Sequence, residues 1–205
     1  METKAATNKY MSALEAWYHC MEVQYKMQVV QKKDSVLMKI IAFFLGIVHK
    51  FFPNVCSGED FMNSFTTTLF NKIYVCYPIN SLKDDNYNID IPHIIHETQH
   101  VLQFRSSLMM PVKYLFSGYQ RMLYEVEAFS NEIEYKVKTK DPENLMIFIE
   151  NAVWSLKSEY GVSVASAKIA RSMLLKKLEA FKKGKFDKNT ISDNAIKFWN
   201  SLKVK

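Results

Sequence analysis

Glycine, proline and cysteine are all scarce in this sequence, with five, five and three residues among 205. Because 48% of the residues are hydrophobic, the chain can bury a hydrophobic core that is stable without disulfide bonds or structural metal ions. We therefore expect one compact globular domain over residues 1–205. The cysteines Cys20, Cys56 and Cys76 are odd in number and have no metal-ligand spacing. This pattern excludes a disulfide framework and favours reduced thiols inside a cell.

Long hydrophobic runs are also missing. The longest, Ile40–Val48, has nine residues, which is too short to cross a bilayer as a helix. The first residues, METKAATNKY, are polar and unlike a signal peptide. These absences predict a soluble, cytoplasmic protein without a transmembrane segment. The surrounding stretch, Val36–Phe52, is predicted to form a buried amphipathic helix, with a helix lying on a membrane surface as the alternative.

Positive charge is concentrated late in the chain, whose formal net charge is +6. A solvated helix face explains such lysines most simply, and binding to nucleic acid or an anionic surface is the alternative. Since no motif for reading bases accompanies them, we expect no nucleic-acid partner. The lysines concerned are Lys176, Lys177, Lys182, Lys183, Lys185, Lys188, Lys203 and Lys205.

The motif with the most chemical content is HETQH, residues 96–100, which has the pattern H-E-x-x-H. On a helix, His96 and His100 lie one turn apart on the same side, so both imidazoles can reach one metal ion. Glu97 lies between them and can polarise a metal-bound water as a general base. We therefore predict a zinc site with His96 and His100 as ligands and Glu97 as the catalytic residue.

The residues around the motif favour a helix from about Pro92 to Phe104, with Asp90 as its cap. When this segment is wound at 100° per residue, one group of side chains falls within about 100° of His96. An apolar group suited to packing falls on the opposite side of the helix. His93 is open to several roles, namely third ligand, support for a ligand, substrate contact or plain structural residue. The side of His96 also holds His93, Glu97, His100, Gln103 and Phe104, and the apolar side holds Ile94, Ile95, Val101 and Leu102.

A catalytic zinc site needs a third protein ligand, and the next helical stretch offers two carboxylates. Glu125 lies about 60° from the centre of the apolar face of that stretch, whereas Glu127 lies about 140° away. A carboxylate beside the buried face can reach an interior metal, so Glu125 is the preferred ligand and Glu127 the alternative. The apolar face consists of Met122, Val126, Phe129 and Ile133.

Along the chain, hydrophobic periodicity and turn residues predict a mostly α, α+β fold with a small antiparallel hairpin. We divide the single domain into N-terminal helices (1–52), a hairpin and zinc-binding core (53–138) and a C-terminal helical extension (139–205). The predicted helices cover residues 8–31, 36–52, 92–104, 111–137 with a break near Gly118, 142–161, 164–183 and 192–202, and the predicted strands cover 66–69 and 73–77.

Three segments together resemble the gluzincin metallopeptidases, and more narrowly a group of small peptidase-like proteins encoded by phages and bacteria. They are FTTTLFNKIYVCYP at 65–78, HETQHVLQ at 96–103 and YLFSGYQRMLYEVEAF at 114–129. The resemblance covers about residues 50–135 and implies a zincin-like domain with His96, His100 and Glu125 as metal ligands and Glu97 as base. The sequence departs from the family at Phe129, where many gluzincins have an acidic residue that orients a ligand histidine, and Asn131 is a possible substitute.

The residues and the resemblance together predict a zinc-dependent metallopeptidase acting on a peptide or protein in the host cytoplasm or in a virion. An extended substrate would pair with an exposed strand edge, either Ile73–Cys76 or Thr66–Thr68. Tyr119 or Tyr124 would assist the developing oxyanion. The alternative is a catalytically silent phage structural protein, or one that binds a host factor, with the same fold.

Overall fold

The computed structural model describes residues 16–52, 56–77, 87–140, 144–188 and 190–203. These residues are mostly helical with a three-stranded sheet, which confirms the predicted α+β, mostly α fold class. The chain divides into two compact units, Met1–Tyr87 and Asn88–Lys205. This boundary falls within the segment 53–138, so the hairpin belongs to the first unit and nearly all of the HETQH helix to the second. All three cysteines are free.

The first unit contains a strand where the sequence predicts a helix. Residues 16–25 form helix α1 and Gln28–Gln31 form strand β1, while residues 8–15 lie outside the described part of the chain. The predicted helix over residues 8–31 is therefore wrong beyond residue 25. Lys26 adopts a left-handed conformation with φ 48°, after which the Gln28 N–H donates to the carbonyl of Asn71 at 2.9 Å. The conformation of this segment is determined by pairing with a strand that is distant in sequence, and local hydrophobic periodicity cannot reveal such pairing.

The predicted hairpin is confirmed, and its second strand is central in the sheet. Strands β2 (Thr67–Leu69) and β3 (Lys72–Val75) pair antiparallel, and β1 pairs with β3 in parallel. The strand order is β1-β3-β2. Because β3 has a neighbour on each side, the prediction that Ile73–Cys76 offers a free edge to a peptide is wrong. Strand β2, the other candidate, lies at an edge.

Helix α2 spans Val36–Phe51, close to the predicted bounds, but most of its large apolar side chains are exposed. The expectation of a buried amphipathic helix is therefore wrong. Within the described part of the first unit, α2 packs against α3 (Gly58–Ser64) and buries Met38. A Cβ atom at Gly58 would lie 2.1 Å from the carbonyl oxygen of Ala42, so glycine permits this close approach. None of the helices described is both long and apolar enough to cross a bilayer.

The second unit is built from helices whose bounds largely match the prediction. The break near Gly118 is confirmed, and the last two helices begin and end within one residue of their predicted limits. Helix α4 begins at Tyr87, earlier than predicted, so Pro92 lies inside it and Asp90 does not cap it. The helices are α4 (Tyr87–Ser106), α5 (Met110–Phe116), α6 (Gly118–Thr139), α7 (Leu145–Ser158), α8 (Val164–Lys182) and α9 (Ile191–Lys203).

The core of the second unit lies between α6, α7 and α8. Its centre consists of large aliphatic side chains that are fully or almost fully buried, such as Ile133, Leu156 and Leu174. The predicted start of α7 at residues 141–143 lies outside the described residues, and Asn144 caps the helix by accepting from Met146 and Ile147 N–H. This core holds α6 firmly in place, which matters because α6 carries the third candidate ligand.

Candidate metal centre

Helix α4 is buried on both of its sides. Its apolar side is buried as predicted, with Ile94, Ile95 and Val101 fully inaccessible. On the opposite side, His96, Glu97, His100 and Gln103 are at most 7% exposed although their side chains are polar or ionisable, and His93 is partly exposed. Burial of such groups is costly unless each has a partner, so this side of α4 must face complementary groups.

Those complementary groups come from α6. Glu125 is 0% exposed and lies beside the two histidines, whereas Glu127 is on the exposed side of the helix. The helical wheel therefore predicted correctly that the Glu125 side chain is buried and that the Glu127 side chain is exposed. Met122, Val126 and Ile133 of the predicted apolar face are buried in the core, and Phe129 packs against it.

Three side chains converge at the centre of the site. The Nε2 atoms of His96 and His100 are 3.2 Å apart, Glu125 Oε2 is 3.2 Å from His96 Nε2, and Glu125 Oε1 is 3.5 Å from His100 Nε2. Two ligands bound about 2.0–2.1 Å from a tetrahedral zinc ion lie about 3.3–3.4 Å apart. The observed separations are close to that value, so the three residues can hold a divalent cation.

The outer nitrogen of each histidine is occupied by a hydrogen-bond acceptor. His96 Nδ1 is 2.6 Å from Glu132 Oε1, and His100 Nδ1 is 2.8 Å from Gln103 Oε1. The orientation of the Gln103 amide follows from its other end, because its NH2 group donates to the carbonyl of Tyr124 and to Glu127 Oε2, both of which can only accept. Both Nδ1 atoms must therefore carry the proton, which leaves each Nε2 lone pair directed at the centre.

The centre of the site therefore contains several hydrogen-bond acceptors close together, and it requires a positive charge to stabilise them. Glu125 Oε2 is buried without a hydrogen-bond partner among the described residues and faces Nε2 of His96, while Glu125 Oε1 faces Nε2 of His100. Burial alone would lower the pKa of His96, yet Glu125 and Glu132 raise it well above its usual value. The pKa of His100 is likewise raised by Glu125 against the effect of burial. A shared proton supplies the missing charge in a metal-free site, and a divalent ion could replace it.

The pKa of Glu125 is shifted in the opposite direction, to a lower value. Burial would raise the pKa of Glu125, but the adjacent His100 and His96 outweigh that effect and hold its pKa far below the usual range. Glu125 Oε1 also accepts a hydrogen bond from the hydroxyl of Tyr114 at 2.5 Å. Glu125 is therefore ionised at neutral pH, as a metal ligand must be.

Glu132 orients His96 in place of the residue that the sequence suggested. The Asn131 side chain instead bonds to Gln99 Oε1 and to the carbonyl of Glu127, so the prediction that Asn131 substitutes for the missing acidic residue is wrong. Phe129 packs edge-on against the ring of His96 with centroids 4.7 Å apart. Glu132 follows Glu125 by seven residues, two helical turns, and this spacing is the signal that could have identified it.

Two tyrosines near the centre also escaped prediction. Tyr114 of α5 bonds to Glu125, and Glu125 and Glu97 act electrostatically on Tyr160, which follows α7. Arg121 holds both in place, since its guanidinium donates to the backbone carbonyls of Tyr114 and Tyr160. The predicted Tyr119 is half exposed, and the ring of Tyr124 stacks on that of Tyr114 at 6.5 Å.

Glu97 and His93 lie together on the same side of α4. The Glu97 carboxylate is buried, with Oε1 3.9 Å from His93 Nε2, and its charge acts on His100 and Tyr114. The imidazole of His93 stacks on that of His96 with centroids 6.4 Å apart, but His93 is not among the three converging residues. His93 thus contacts Glu97 and His96, and the third converging group is Glu125.

Comparison of the chain with protein-family models, with curated proteins and with solved structures finds no match in any of the three. The arrangement of His96, His100 and Glu125 therefore has to be interpreted from its own chemistry.

Proposed function

We propose that this chain is a zinc-dependent metallopeptidase of the gluzincin type, with His96, His100 and Glu125 as the metal ligands. The observation that carries the proposal is the buried set of three side chains, His96, His100 and Glu125, whose nearest acceptor atoms are 3.2–3.5 Å apart and lack a positive charge. A zinc ion bound there would acidify a water molecule and polarise a peptide carbonyl. The substrate is a peptide or protein, and the proposed location is the cytoplasm.

Glu97 is the general base in this proposal. It directly follows the ligand His96 and lies close enough to His100 and Tyr114 for its charge to affect both. Its carboxylate takes the proton of the attacking water and returns it to the leaving nitrogen when the peptide bond breaks. His93, 3.9 Å from Glu97 Oε1, holds the carboxylate in position.

Tyr160 can donate a hydrogen bond to the oxygen that becomes negative during the reaction, whereas the single hydroxyl proton of Tyr114 is donated to Glu125 Oε1. Burial and the charge of Glu125 raise the pKa of the Tyr114 hydroxyl well above its usual value. Glu125, together with burial, does the same for Tyr160. Both hydroxyls therefore keep their protons at neutral pH, so Tyr114 continues to donate to Glu125 and Tyr160 remains a donor for the oxyanion.

Glu97→Gln tests the role of the base, with Glu150→Gln on the exposed surface of α7 as its matched control. We expect Glu97→Gln to keep its zinc, because the three ligands remain, and to lose about 10²–10⁴-fold in turnover of a peptide library. Zinc content by mass spectrometry and chelator-sensitive cleavage are the two measurements. An active Glu97→Gln variant would refute the assignment of the base.

A catalytically silent protein with a structural metal is the second candidate, and one observation favours it. His96, His100 and Glu125 are 4%, 7% and 0% exposed, as expected for a closed structural site. If the wild-type protein binds zinc, cleaves no peptide of a diverse library and captures a virion or host protein, this second function replaces the first.

A further inference from the structure

Helix α2 presents an apolar stripe that the described part of the first unit leaves uncovered. At 100° per residue, eight large apolar side chains fall within a sector of about 140°, and Phe43, Phe44 and Phe51 are 66%, 60% and 75% exposed. Isolated exposed apolar residues are common, but a continuous stripe along a whole helix marks an interaction surface. The stripe consists of Val36, Leu37, Ile40, Phe43, Phe44, Ile47, Val48 and Phe51.

The charged residues of α2 itself are all basic. Lys39 and Lys50 are exposed and lie on the same border of the stripe, about 20–40° beyond Phe43. Helix α2 contains no aspartate or glutamate, and the exposed pair Lys33 and Asp34 before its cap adds no net charge. Long lysine side chains beside an apolar face can reach phosphate groups while the face itself enters an apolar layer.

We propose that α2 is an in-plane anchor that binds the protein to an anionic lipid surface. The helix has 16 residues, so it is about 24 Å long and falls short of the roughly 30 Å hydrocarbon core. It therefore lies in the interface, with the Phe43 side buried among acyl chains and Lys39 and Lys50 at the head groups. The opposite side packs on α3, which leaves the stripe available to lipid.

A second copy of the chain fits this face less well. Two α2 stripes in contact would bring Lys39 and Lys50 of each copy together without an acidic partner on either helix. An anionic lipid surface removes this difficulty, since it carries the complementary charge.

Vesicle flotation of the full chain tests the proposal, with phosphatidylcholine vesicles that either contain or lack phosphatidylserine. We expect the wild type to float with phosphatidylserine vesicles, and the double variant Phe43→Ser/Phe44→Ser to bind them at least about tenfold more weakly. The matched control is Ile147→Ser/Trp154→Ser, which removes two side chains of similar exposure from α7. This control should bind like the wild type.

A second pair of variants tests the charge without touching the apolar side chains. Lys39→Glu/Lys50→Glu should weaken binding to phosphatidylserine vesicles at least about 20-fold, since each lysine near such a surface contributes about fivefold. Lys182→Glu/Lys185→Glu, equally exposed in the second unit, is the control and should have little effect.

Three results would overturn the proposal. The first is a wild-type protein that floats with neither kind of vesicle. The second is a large drop in the melting temperature of Phe43→Ser/Phe44→Ser without vesicles, because the stripe would then be covered within the folded chain. The third is a concentration-dependent dimer that Phe43→Ser/Phe44→Ser converts to a monomer in sedimentation experiments, which would make the surface a self-association site.

Discussion

The Nδ1 atom of His96 lies 2.6 Å from Oε1 of Glu132, two helical turns along α6 from Glu125. One helix thus supplies both the carboxylate that faces His96 Nε2 and the carboxylate that holds its opposite nitrogen. Such a partner keeps a ligand histidine in the correct tautomer and makes its free nitrogen more basic. The positioning of His96 therefore depends on the straightness of α6 between these two glutamates.

The first prediction concerns this positioning residue. Glu132→Gln should weaken zinc binding about 10–100-fold and leave the stoichiometry at saturation unchanged, because the three ligands remain. The measurement is competition with a chromophoric chelator at constant pH. Glu150→Gln, an exposed carboxylate on α7, is the control. Equal affinities for Glu132→Gln and the wild type would show that Glu132 does not support the metal.

The second prediction separates the two candidate carboxylates. Glu125→Ala should lose stoichiometric zinc, because it removes one of the three converging groups. Glu127→Ala should retain about one zinc ion per chain and lose affinity only a few-fold, since Glu127 reaches His100 only through Gln103. Metal analysis after exhaustive dialysis distinguishes the two. The reverse result would make Glu127 the ligand and contradict the site described above.

The third prediction concerns the hydroxyl that contacts the third ligand. Tyr114→Phe keeps the ring but removes the 2.5 Å hydrogen bond to Glu125 Oε1, and we expect zinc affinity to fall about tenfold. Tyr124→Phe is the matched control, because its ring stacks on Tyr114 and it has no corresponding contact with Glu125. If both variants bind zinc like the wild type, the Tyr114 hydroxyl does not support the ligand.

The fourth prediction is a pH dependence of the metal-free protein. The pKa of His96 is raised well above 6.5, and that of His100 is also raised. A histidine with a raised pKa in the folded state contributes stability that is complete below its unfolded value and is lost as the pH rises through the folded value. The melting temperature without zinc should therefore fall as the pH rises above about 6.5.

Glu125 affects the pH dependence of stability in the opposite direction, because its contribution is lost at acidic pH. Its pKa is lowered from 4.5 in the folded state, so its contribution is present above 4.5 and is lost as the pH falls towards the folded value. Zinc should abolish the alkaline loss, because the ion replaces the proton between the two histidines, and its affinity should rise over the same pH range. Calorimetry with and without zinc measures both effects. A metal-free melting temperature that rises towards pH 9 would contradict the arrangement of charges in the site.

The helix that carries HETQH and the burial of Glu125 could be predicted because both depend on one local rule. Residues three, four or seven apart on a helix share a side, so the motif brings His96 and His100 together and a helical wheel separates Glu125 from Glu127. Glu132 obeys the same rule, yet nothing in the sequence says which histidine it meets. The partners of Tyr114 and Tyr160 depend on how α5 and the end of α7 return to α6, which is tertiary information.

Two other features were predicted wrongly for a related reason. Residues Gln28–Gln31 have a helical pattern, but pairing with β3 makes them a strand, and that partner lies more than forty residues away. Helix α2 has the hydrophobic pattern of a buried helix, although the structure leaves its stripe exposed. Periodicity shows that a side is apolar, and it does not show what covers that side.

The amino-acid sequence by itself determined the helices, the hairpin, the two imidazoles on one side of α4 and the carboxylate at the border of the α6 core. These follow from interactions between near neighbours, whose geometry is set by 3.6 residues per turn or by alternation along a strand. The tertiary structure alone decided that Glu125 faces both histidines, that Glu132 holds the outer nitrogen of His96, and that β1 joins β3. Those contacts join groups far apart in sequence, and they form only because packing within each unit brings the elements that carry them together.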